Sequence, residues 1–512
     1  MSDGRQGSVA EQGTPAGSLA DAVDDYRRIR GEIERGVLPL ATSVDGREFT
    51  FQASLHQLQL QTGGYVVLED EGGNRRLGQV LTMRPESALA PDLGLEGVSS
   101  SMLMRFARGE GVILDGDFRP FHDALARPAE PSEVDSWLAQ VRPNRSALTI
   151  GELLLAPGVV AALDSGGFNR HTFMCGQSGS GKTYSLGLVL ERLLVGTSLR
   201  MVILDPNSDY IRLSDVQDGV DPAVGAEYAA AASGVSVWQN DPGTAHPLQL
   251  QFVDVDPAAQ AAVFGLDPIR DREEYAALAG VLAAAEKGRA VISDPDVLLS
   301  SENPDTRQLG LRAANLGVFN WSVWSHGRGR SLVDELLDPT SRCLVVDLGS
   351  LDTINEQRLI SETVLSTLWR NRSRRQPCLI VIDEAHNVCP RQPADTVTAL
   401  ATNYASLIAA EGRKFGLYLL TSTQRPQKVH DEVLSQCDNL LLMRMNSEAD
   451  LGHLSDAFSF VPDGLIQRAT TFRQGESLVA GKFVPHPEYV RFGQRLSQEG
   501  GADIPTSWAA AR

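Results

Sequence analysis

The 512-residue sequence is poor in cysteine, in long apolar runs and in positive charge. It holds five cysteines (Cys175, Cys343, Cys378, Cys389 and Cys437), with no C-x-x-C pair and three of the five inside apolar runs. That usage excludes a disulfide framework and a zinc site and suits a reducing compartment. No segment approaches the ~18 apolar residues of a membrane span. The stretch 1–22 is rich in Gly, Ser, Ala, Asp and Gln and lacks the apolar centre of a secretory signal, so a cytoplasmic protein without a membrane partner is expected. Lys and Arg number 46 against 65 Asp and Glu, a formal net charge of −19, which excludes a protein that coats nucleic acid with its whole surface. A local basic lining, such as the inside of a ring, stays open. The length allows two or three domains and a large core.

What is present centres on His171 to Thr183. Phe173, Met174 and Cys175 read as a buried strand, the glycines at 176, 179 and 181 as a tight loop, and Leu186 to Leu194 as a helix. The turn fits G-x-x-x-x-G-K-S/T, whose backbone N–H groups surround a phosphate while the helix N-terminus adds partial positive charge. A side chain at Gly176 or Gly181 would push the phosphates away or forbid the backbone angles. The spacing assigns nucleotide binding to Gly176, Gln177, Ser178, Gly179, Ser180, Gly181, Lys182, Thr183 and Tyr184. Lys182 reaches the β- and γ-phosphates of ATP, and the Thr183 hydroxyl ligates Mg²⁺.

Around this stretch the chain divides into a disordered tail with a short charged helix (1–37, the helix over Leu19 to Glu34), a small β-barrel with a connector (38–145), an ATPase domain (146–490) and a C-terminal tail (491–512). The barrel is read from short β-type runs, Glu48 to Ala53, Tyr65 to Glu69, Leu77 to Thr82 and Gly111 to Leu114, broken by glycine turns. Prolines punctuate the connector around a short helix near Glu133 to Gln140, and Ile150 to Leu163 leads into the nucleotide strand. After the loop, strands are predicted at Arg200 to Leu204, Cys343 to Asp347, Cys378 to Ile382 and Leu417 to Thr421, with helices at Asn355 to Arg370 and around Ala394 to Glu411. This alternation predicts an α/β fold, a parallel sheet covered on both faces. Residues from about 215 to 340 interrupt it with an Ala-rich stretch, helical over Pro257 to Lys287 and Thr306 to Ala314, that reads as an insertion.

Further chemistry gathers at predicted strand ends, where open α/β sheets hold their ligands. Cys378 to Ile382 is wholly apolar and ends in Asp383 and Glu384; such an Asp holds the Mg²⁺ shell, and the Glu polarises the water that attacks the γ-phosphate. His386, a lone histidine near these carboxylates, reads equally as a structural hydrogen-bond partner or as a participant and is left outside catalysis. Asp205 to Tyr210 stands at the end of the Arg200 strand. Gln424, in Thr421-Ser422-Thr423-Gln424-Arg425-Pro426, reads either as a sensor of the γ-phosphate or as an ordinary turn residue.

Taken in order, Gly176 to Thr183, Asp383-Glu384-Ala385-His386-Asn387, Glu411-Gly412-Arg413-Lys414-Phe415-Gly416 and Ser422-Thr423-Gln424-Arg425-Pro426 resemble the HerA branch of the HerA/FtsK ATPases. The resemblance covers most of residues 40 to 490, and includes a β-barrel before the core and Arg170-His171 before the phosphate strand. Asp205-Pro206 through Tyr210 is similar to the family's Asp-Pro-His-Gly-Glu-Tyr element, with Asn207-Ser208-Asp209 in place of His-Gly-Glu. The resemblance implies a homo-hexameric ring ATPase that moves double-stranded DNA and works with a nuclease or effector partner in DNA end processing, repair or phage defence. It implies that Glu384 is the catalytic acid, that Gln424 senses the γ-phosphate, that Arg413 is offered to the neighbouring subunit's ATP, and that Arg170 and Asp205 serve nucleotide binding. A related ring ATPase that drives protein transfer is the alternative, and a scaffold with little turnover is disfavoured by the joint presence of Lys182, Thr183, Asp383 and Glu384. Two basic clusters remain: Arg370, Arg372, Arg374 and Arg375 read as a solvated helix cap. Arg328 and Arg330 lie in a glycine-rich loop suited equally to a phosphate backbone or to plain solvent.

Overall fold

The computed structural model describes residues 38–501 except 57, 90–102, 143–146, 242, 287–294 and 326–329, together with a few positions between 24 and 32. Most of the predicted tail and helix over 1–37, and Arg328, lie outside the described residues. Two compact units divide between Glu130 and Pro131, earlier than the boundary expected near 145.

The first unit is a closed antiparallel barrel of β1 (Leu40–Ser43), β2 (Glu48–Ser54), β3 (Tyr65–Glu69), β4 (Arg75–Leu89), β5 (Leu103–Asp115) and β6 (Phe121–Pro128), ordered β1-β2-β5-β4-β3-β6. Strand β2 alternates exposed and buried residues, which turns Phe49, Phe51 and Ala53 inward. The sequence rhythm missed β1 and β6 and shortened β4 and β5. Glycines on β5 give the two rings their room: a Cβ on Gly111 would lie 2.2 Å from the Phe49 ring, and one on Gly109 would lie 2.3 Å from that of Phe51.

In the second unit, β7 (Ala147–Leu153), β8 (Val160–Asp164), β9 (His171–Cys175), β10 (Arg200–Asp205), β11 (Val235–Trp238), β12 (Cys343–Asp347), β13 (Cys378–Ile382), β14 (Leu417–Thr423), β15 (Cys437–Met443), β16 (Glu476–Gly481) and β17 (Glu488–Phe492) form one sheet. Its order is β11-β12-β10-β13-β14-β9-β15-β16-β17-β7-β8. The strands from β11 to β15 in that order run parallel, and β9, β10, β12 and β13 are buried along their whole length, as a sheet covered on both faces requires. From β15 onward the pairings are antiparallel, so the expected parallel sheet is in fact mixed.

Helix α1 (Pro131–Val141) belongs to this unit; its Trp137 ring meets His486 edge-on at 4.9 Å. Helix α2 (Lys182–Gly196) follows the phosphate loop. The inserted region contains α3 (Pro222–Ala232), α4 (Pro257–Val263), α5 (Arg272–Glu286), α6 (Pro295–Leu299), α7 (Pro304–Leu316) and α8 (Leu332–Leu337), but it is not wholly helical. Strand β11 lies within it and closes the parallel edge of the sheet against β12. Residues 150–163 form the far β7–β8 hairpin instead of running directly into β9.

The tail expected over 491–512 is, through residue 501, part of the fold. Beyond β17 the chain crosses α2, where Arg495 Nε stands 3.4 Å from Glu191 Oε1 with both side chains wholly buried. The amides of Leu496 and Ser497 donate to the same carboxylate at 2.8 and 2.6 Å.

Candidate active site

Strands β10, β13, β14 and β9 are consecutive neighbours in the sheet, so their carboxyl ends place Asp205, Asp383-Glu384, Gln424 and the phosphate loop side by side. The loop leaves β9 through Gly176, where a Cβ would lie 2.7 Å from Ser180 Oγ and 2.8 Å from Met443 Cβ. Gly179 and Gly181 take φ of +72° and +92°, angles that glycine adopts without steric cost. Gly181 then starts α2 with no side chain capping it, so the first amides of the helix point unmatched into the cavity. This cavity, about 570 Å³, is walled by Gln177 to Gly179 and Gly181 to Tyr184, by Asp209 and Gln424, and by Gln474, Gly475, Phe492 and Glu499. A larger hollow of about 790 Å³ beside α5 is lined by small apolar residues such as Ala276, Ala277 and Val281 together with Arg272, Glu273 and Asp305, and shares no lining residue with the loop cavity.

Lys182, 5% exposed, donates from Nζ to Asp383 Oδ1 at 2.7 Å and to Ser422 Oγ at 3.0 Å, and lies 3.4 Å from Glu384 Oε1. Burial pulls its pKa down, but the two carboxylates outweigh that and hold the ammonium above its ordinary value. Glu384 begins the short helix Ala385–Val388 in a left-handed conformation, φ +44°, which aims its side chain back at the site. Its Oε1 accepts from Gln424 Nε2 at 2.9 Å, and its Oε2 lies 3.2 Å from His386 Nδ1. Burial raises the pKa of this carboxyl; the close His386 ring, the Gln424 hydrogen bond and the charge of Lys182 reverse that and bring it to about 2. The geometry therefore joins Lys182, Asp383, Glu384 and Gln424 in one network, with Thr183 on the cavity wall beside it.

Sequence reasoning gave Ser422 and Tyr210 no role of their own and left His386 outside catalysis. Tyr210 donates to Asp383 Oδ2 at 3.3 Å, and His386 Nδ1 also lies 3.1 Å from Thr423 Oγ1. The one available signal for His386 was its place two residues after an acidic strand end. Asp205 is set back from the cavity: its carboxylate accepts the amides of Asn207, Asp209 and Tyr210 and so shapes the turn that carries Asp209 to the wall. Burial pushes Asp205 up to about 7, and burial with the neighbouring Asp383 pushes Asp209 up to about 6.

Arg170 and Arg413 do not join this network. They precede β9 and β14, at the amino ends of strands whose carboxyl ends carry the site, and strands rise ~3.3 Å per residue. Arg413 NH1 donates to Asp438 Oδ2 at 2.6 Å, and Arg170 Nε lies 3.9 Å from the same oxygen. Between them, burial and the nearby Arg413 charge hold His171 down at about 4, and its Nδ1 accepts the Leu419 amide at 2.9 Å. Arg330 is bound by Glu335 and Asp338. Of the other cluster, Arg370 pairs with Asp256 and Arg372 lies 4.2 Å over the Trp369 ring, so these cations are engaged more than a solvated cap requires.

A phosphate loop with an uncapped helix, its lysine paired to an acid on the next strand but one, and a carboxylate held beside a glutamine define a P-loop ATPase, an ATP-hydrolysing enzyme. Within that class the chain is similar to HerA helicases: residues 148–306 match the family described as helicase HerA, central domain. Over 449 residues it is 22% identical to the DNA double-strand break repair helicase HerA of Pyrococcus furiosus, covering 72% of this chain and 74% of that one. The HerA of Saccharolobus solfataricus is 23% identical over 413 residues, 76% of each chain. A probable helicase of Methanocaldococcus jannaschii is 30% identical over 135 residues, 26% of each chain. Among solved structures, VirB4 of Thermoanaerobacter pseudethanolicus aligns with a TM-score of 0.47 at 17% identity, covering 69% of this chain and 98% of that one. Among the described residues no helix is long and apolar enough to cross a membrane.

Proposed function

We propose that this chain is an ATP-driven double-stranded DNA translocase that works as a homo-hexameric ring with a nuclease or effector partner. The observation that carries the reading is the split between the two edges of one sheet: Lys182, Asp383, Glu384 and Gln424 at the carboxyl ends, Arg170 and Arg413 at the amino ends. Strand β14, seven residues long, separates Arg413 from Gln424 by roughly 20 Å, beyond the reach of one arginine side chain. Arg413 thus serves a nucleotide only if an adjacent copy presents it. The DNA cargo is supported by the HerA relatives, which are named as DNA double-strand break repair helicases.

In each subunit the loop amides and Lys182 bind the β- and γ-phosphates. The Thr183 hydroxyl and the Asp383 carboxylate form a hard oxygen donor set that fits Mg²⁺, which when bound supplies neutralising charge at the phosphates. Glu384, ionised because its pKa is depressed, accepts a hydrogen bond from the attacking water and orients it in line, while Gln424 contacts the γ-phosphate side. Arg413 of the adjacent copy stabilises the charge that develops during transfer. Asp383 and Glu384 hold the buried Lys182 ammonium until triphosphate takes their place on it.

A motor that passes every sequence binds phosphates in preference to base edges. Duplex DNA of unrelated sequences is therefore expected to stimulate ATPase activity, increasingly with length and less as salt rises. A purified ring, with its co-purifying partner, whose ATPase and binding are both indifferent to duplex DNA at low salt would sink the reading and favour a protein substrate.

A further inference from the structure

The two arginines at the amino edge meet one carboxylate, and the backbone is built to put it there. Along β9, His171 pairs with Cys437 and Thr172 with Asn439, so Asp438 is an additional residue in β15, a bulge between adjacent parallel strands. Bulges re-aim a side chain at the cost of local pairing. This one is pinned from within: wholly buried Asn439 donates to Gly167 O at 3.0 Å and to Thr172 Oγ1 at 3.1 Å, and accepts the Lys482 amide at 2.7 Å. Behind it Gly481, at φ +122°, lets its own backbone pass so close that a Cβ would lie 2.3 Å from Asp438 O. The side chains that meet are all partly exposed, 38% for Asp438, 32% for Arg413 and 42% for Arg170.

We propose that Asp438 is a positioning residue that gathers Arg413 and Arg170 into a two-guanidinium clamp for the triphosphate carried by a second copy of this chain. The proposal rests on the trans assignment of Arg413 made above. One carboxylate and two guanidiniums leave a net charge of +1, and a shared Oδ2 leaves the remaining N–H groups of both forks free to face outward. Arg413 stands on a short 3-10 turn, Gly412–Phe415, whose side chain has no other fixed acceptor among the described residues. Fixing it before the copies meet lowers the ordering cost at the moment of phosphoryl transfer. The matching surface is the nucleotide cavity of the adjacent copy, whose triphosphate supplies the anion. Asp438 touches no nucleotide in this arrangement; it acts through Arg413.

Asp438→Asn keeps the size of the side chain and removes its charge. It is expected to lower kcat roughly 10- to 100-fold, the scale of a misplaced catalytic group, with KM for ATP and the affinity for ATP within about twofold of the parent. Asp438→Glu, which restores the carboxylate, is expected to recover most of the loss, and thermal melting and native mass measurements confirm that each variant folds and assembles. Addition of the Asp438→Asn change to Arg413→Ala is expected to cost less than it does in the parent, because only Arg170 is then left for Asp438 to position.

Mixed assemblies separate this role from a local structural one. Asp438→Asn subunits mixed with excess Lys182→Ala subunits have intact loops facing intact clamps, so turnover per intact Lys182 is expected to rise toward the parent value. The same mixing with Arg413→Ala tests the reading beneath. If Arg413→Ala is rescued and Asp438→Asn is not, the positioning role is overturned while the trans arginine stands. If neither is rescued in rings shown by mass to be mixed, the trans reading falls and the inference with it. Parent-like kcat in Asp438→Asn overturns the inference directly.

Discussion

Lys182 and Asp383 are joined by a 2.7 Å hydrogen bond between a loop and a strand end that lie two strands apart in the sheet, with β14 between them. The loop cation therefore has a counter-charge before nucleotide arrives, and the two states of the site differ in which anion Lys182 holds.

Lys182→Ala removes the cation from both states. Nucleotide binding or turnover is expected to be lost, with kcat/KM down at least about 100-fold, the scale of losing one charge-stabilising donor. Asp383 is left buried without its ammonium, so some stability is lost as well. ATPase assays with titration calorimetry test both, and near-parent turnover would be incompatible with the network described.

Glu384→Gln keeps the shape and the neighbours of the carboxylate but cannot accept the proton of the attacking water. ATP is expected to bind and persist while turnover falls roughly 10²- to 10⁴-fold. Filter binding of labelled ATP beside steady-state assays gives the comparison. Parent-like turnover would remove Glu384 from the chemistry.

His386→Ala unties the link from Glu384 to Thr423, whose strand carries Gln424. The expected outcome is a drop in kcat of about 10-fold or more with ATP affinity unchanged. The carboxyl of Glu384, now about 2, would also rise toward its ordinary range once the neighbouring His386 ring is gone. The sign follows: a depressed folded pKa stabilises the protein above the unfolded value and loses that contribution as pH falls toward 2, so His386→Ala moves the loss to higher pH. Chemical denaturation at pH 4 and pH 7 reads that shift.

Glu362 is buried on the helix Ile354–Arg370, and neither carboxylate oxygen has a hydrogen-bond partner in the structure. Burial and the nearby Asp256 raise it to about 8. The unfolded carboxyl ionises from its ordinary value upward and the folded one only near 8, so parent stability is expected to decline as pH rises between those values, by at most about 1.4 kcal/mol per pH unit. Glu362→Gln should flatten that decline. Equal pH slopes for the two proteins between pH 5 and 8 would contradict the assignment.

Arg495→Ala leaves Glu191 charged and wholly buried, a change that costs about 3 to 5 kcal/mol where it has been measured in other proteins. Denaturant melting is expected to show a loss of that order, and the nucleotide cavity should weaken with it because Phe492 and Glu499 flank the same segment. An unchanged midpoint would mean that this C-terminal strap across α2, the segment from Gly493 to Glu499, is dispensable.

The phosphate loop was legible because glycine at 179 and 181 encodes positive φ, and a lysine after the second one leaves few other uses for the pattern. Asp383-Glu384 was legible because five apolar residues before it can only be a buried strand. Strand β11 was not: Val235 to Trp238 is four residues long with three of them half-buried, too short and too mixed for its period to show. From β15 through β16 and β17 to β7 the pairings turn antiparallel, and β17 finds its partner β7 far away in the chain, so no local repeat marks this half of the sheet. His386 and Asp438 owe their positions to a neighbouring hydroxyl and to a bulge, and Arg330 to acids on the following helix, none of which a motif records. Arg170 and Asp205 were visible as residues, but their places, an opposite sheet edge and a turn behind the cavity wall, come from topology.

The strap that completes the cavity also sets an order of events during synthesis. Leu496 reaches Glu191 across 305 positions of chain. At ribosomal rates of ~5–20 residues per second, roughly 15 to 60 s separate the appearance of the phosphate loop from that of the residues that brace its helix. In that interval α2 exposes the place where Arg495 will lie, and nucleotide meets a cavity still lacking Gly475, Phe492 and Glu499. ATP therefore acts as a folding ligand only after almost the whole second unit has been made.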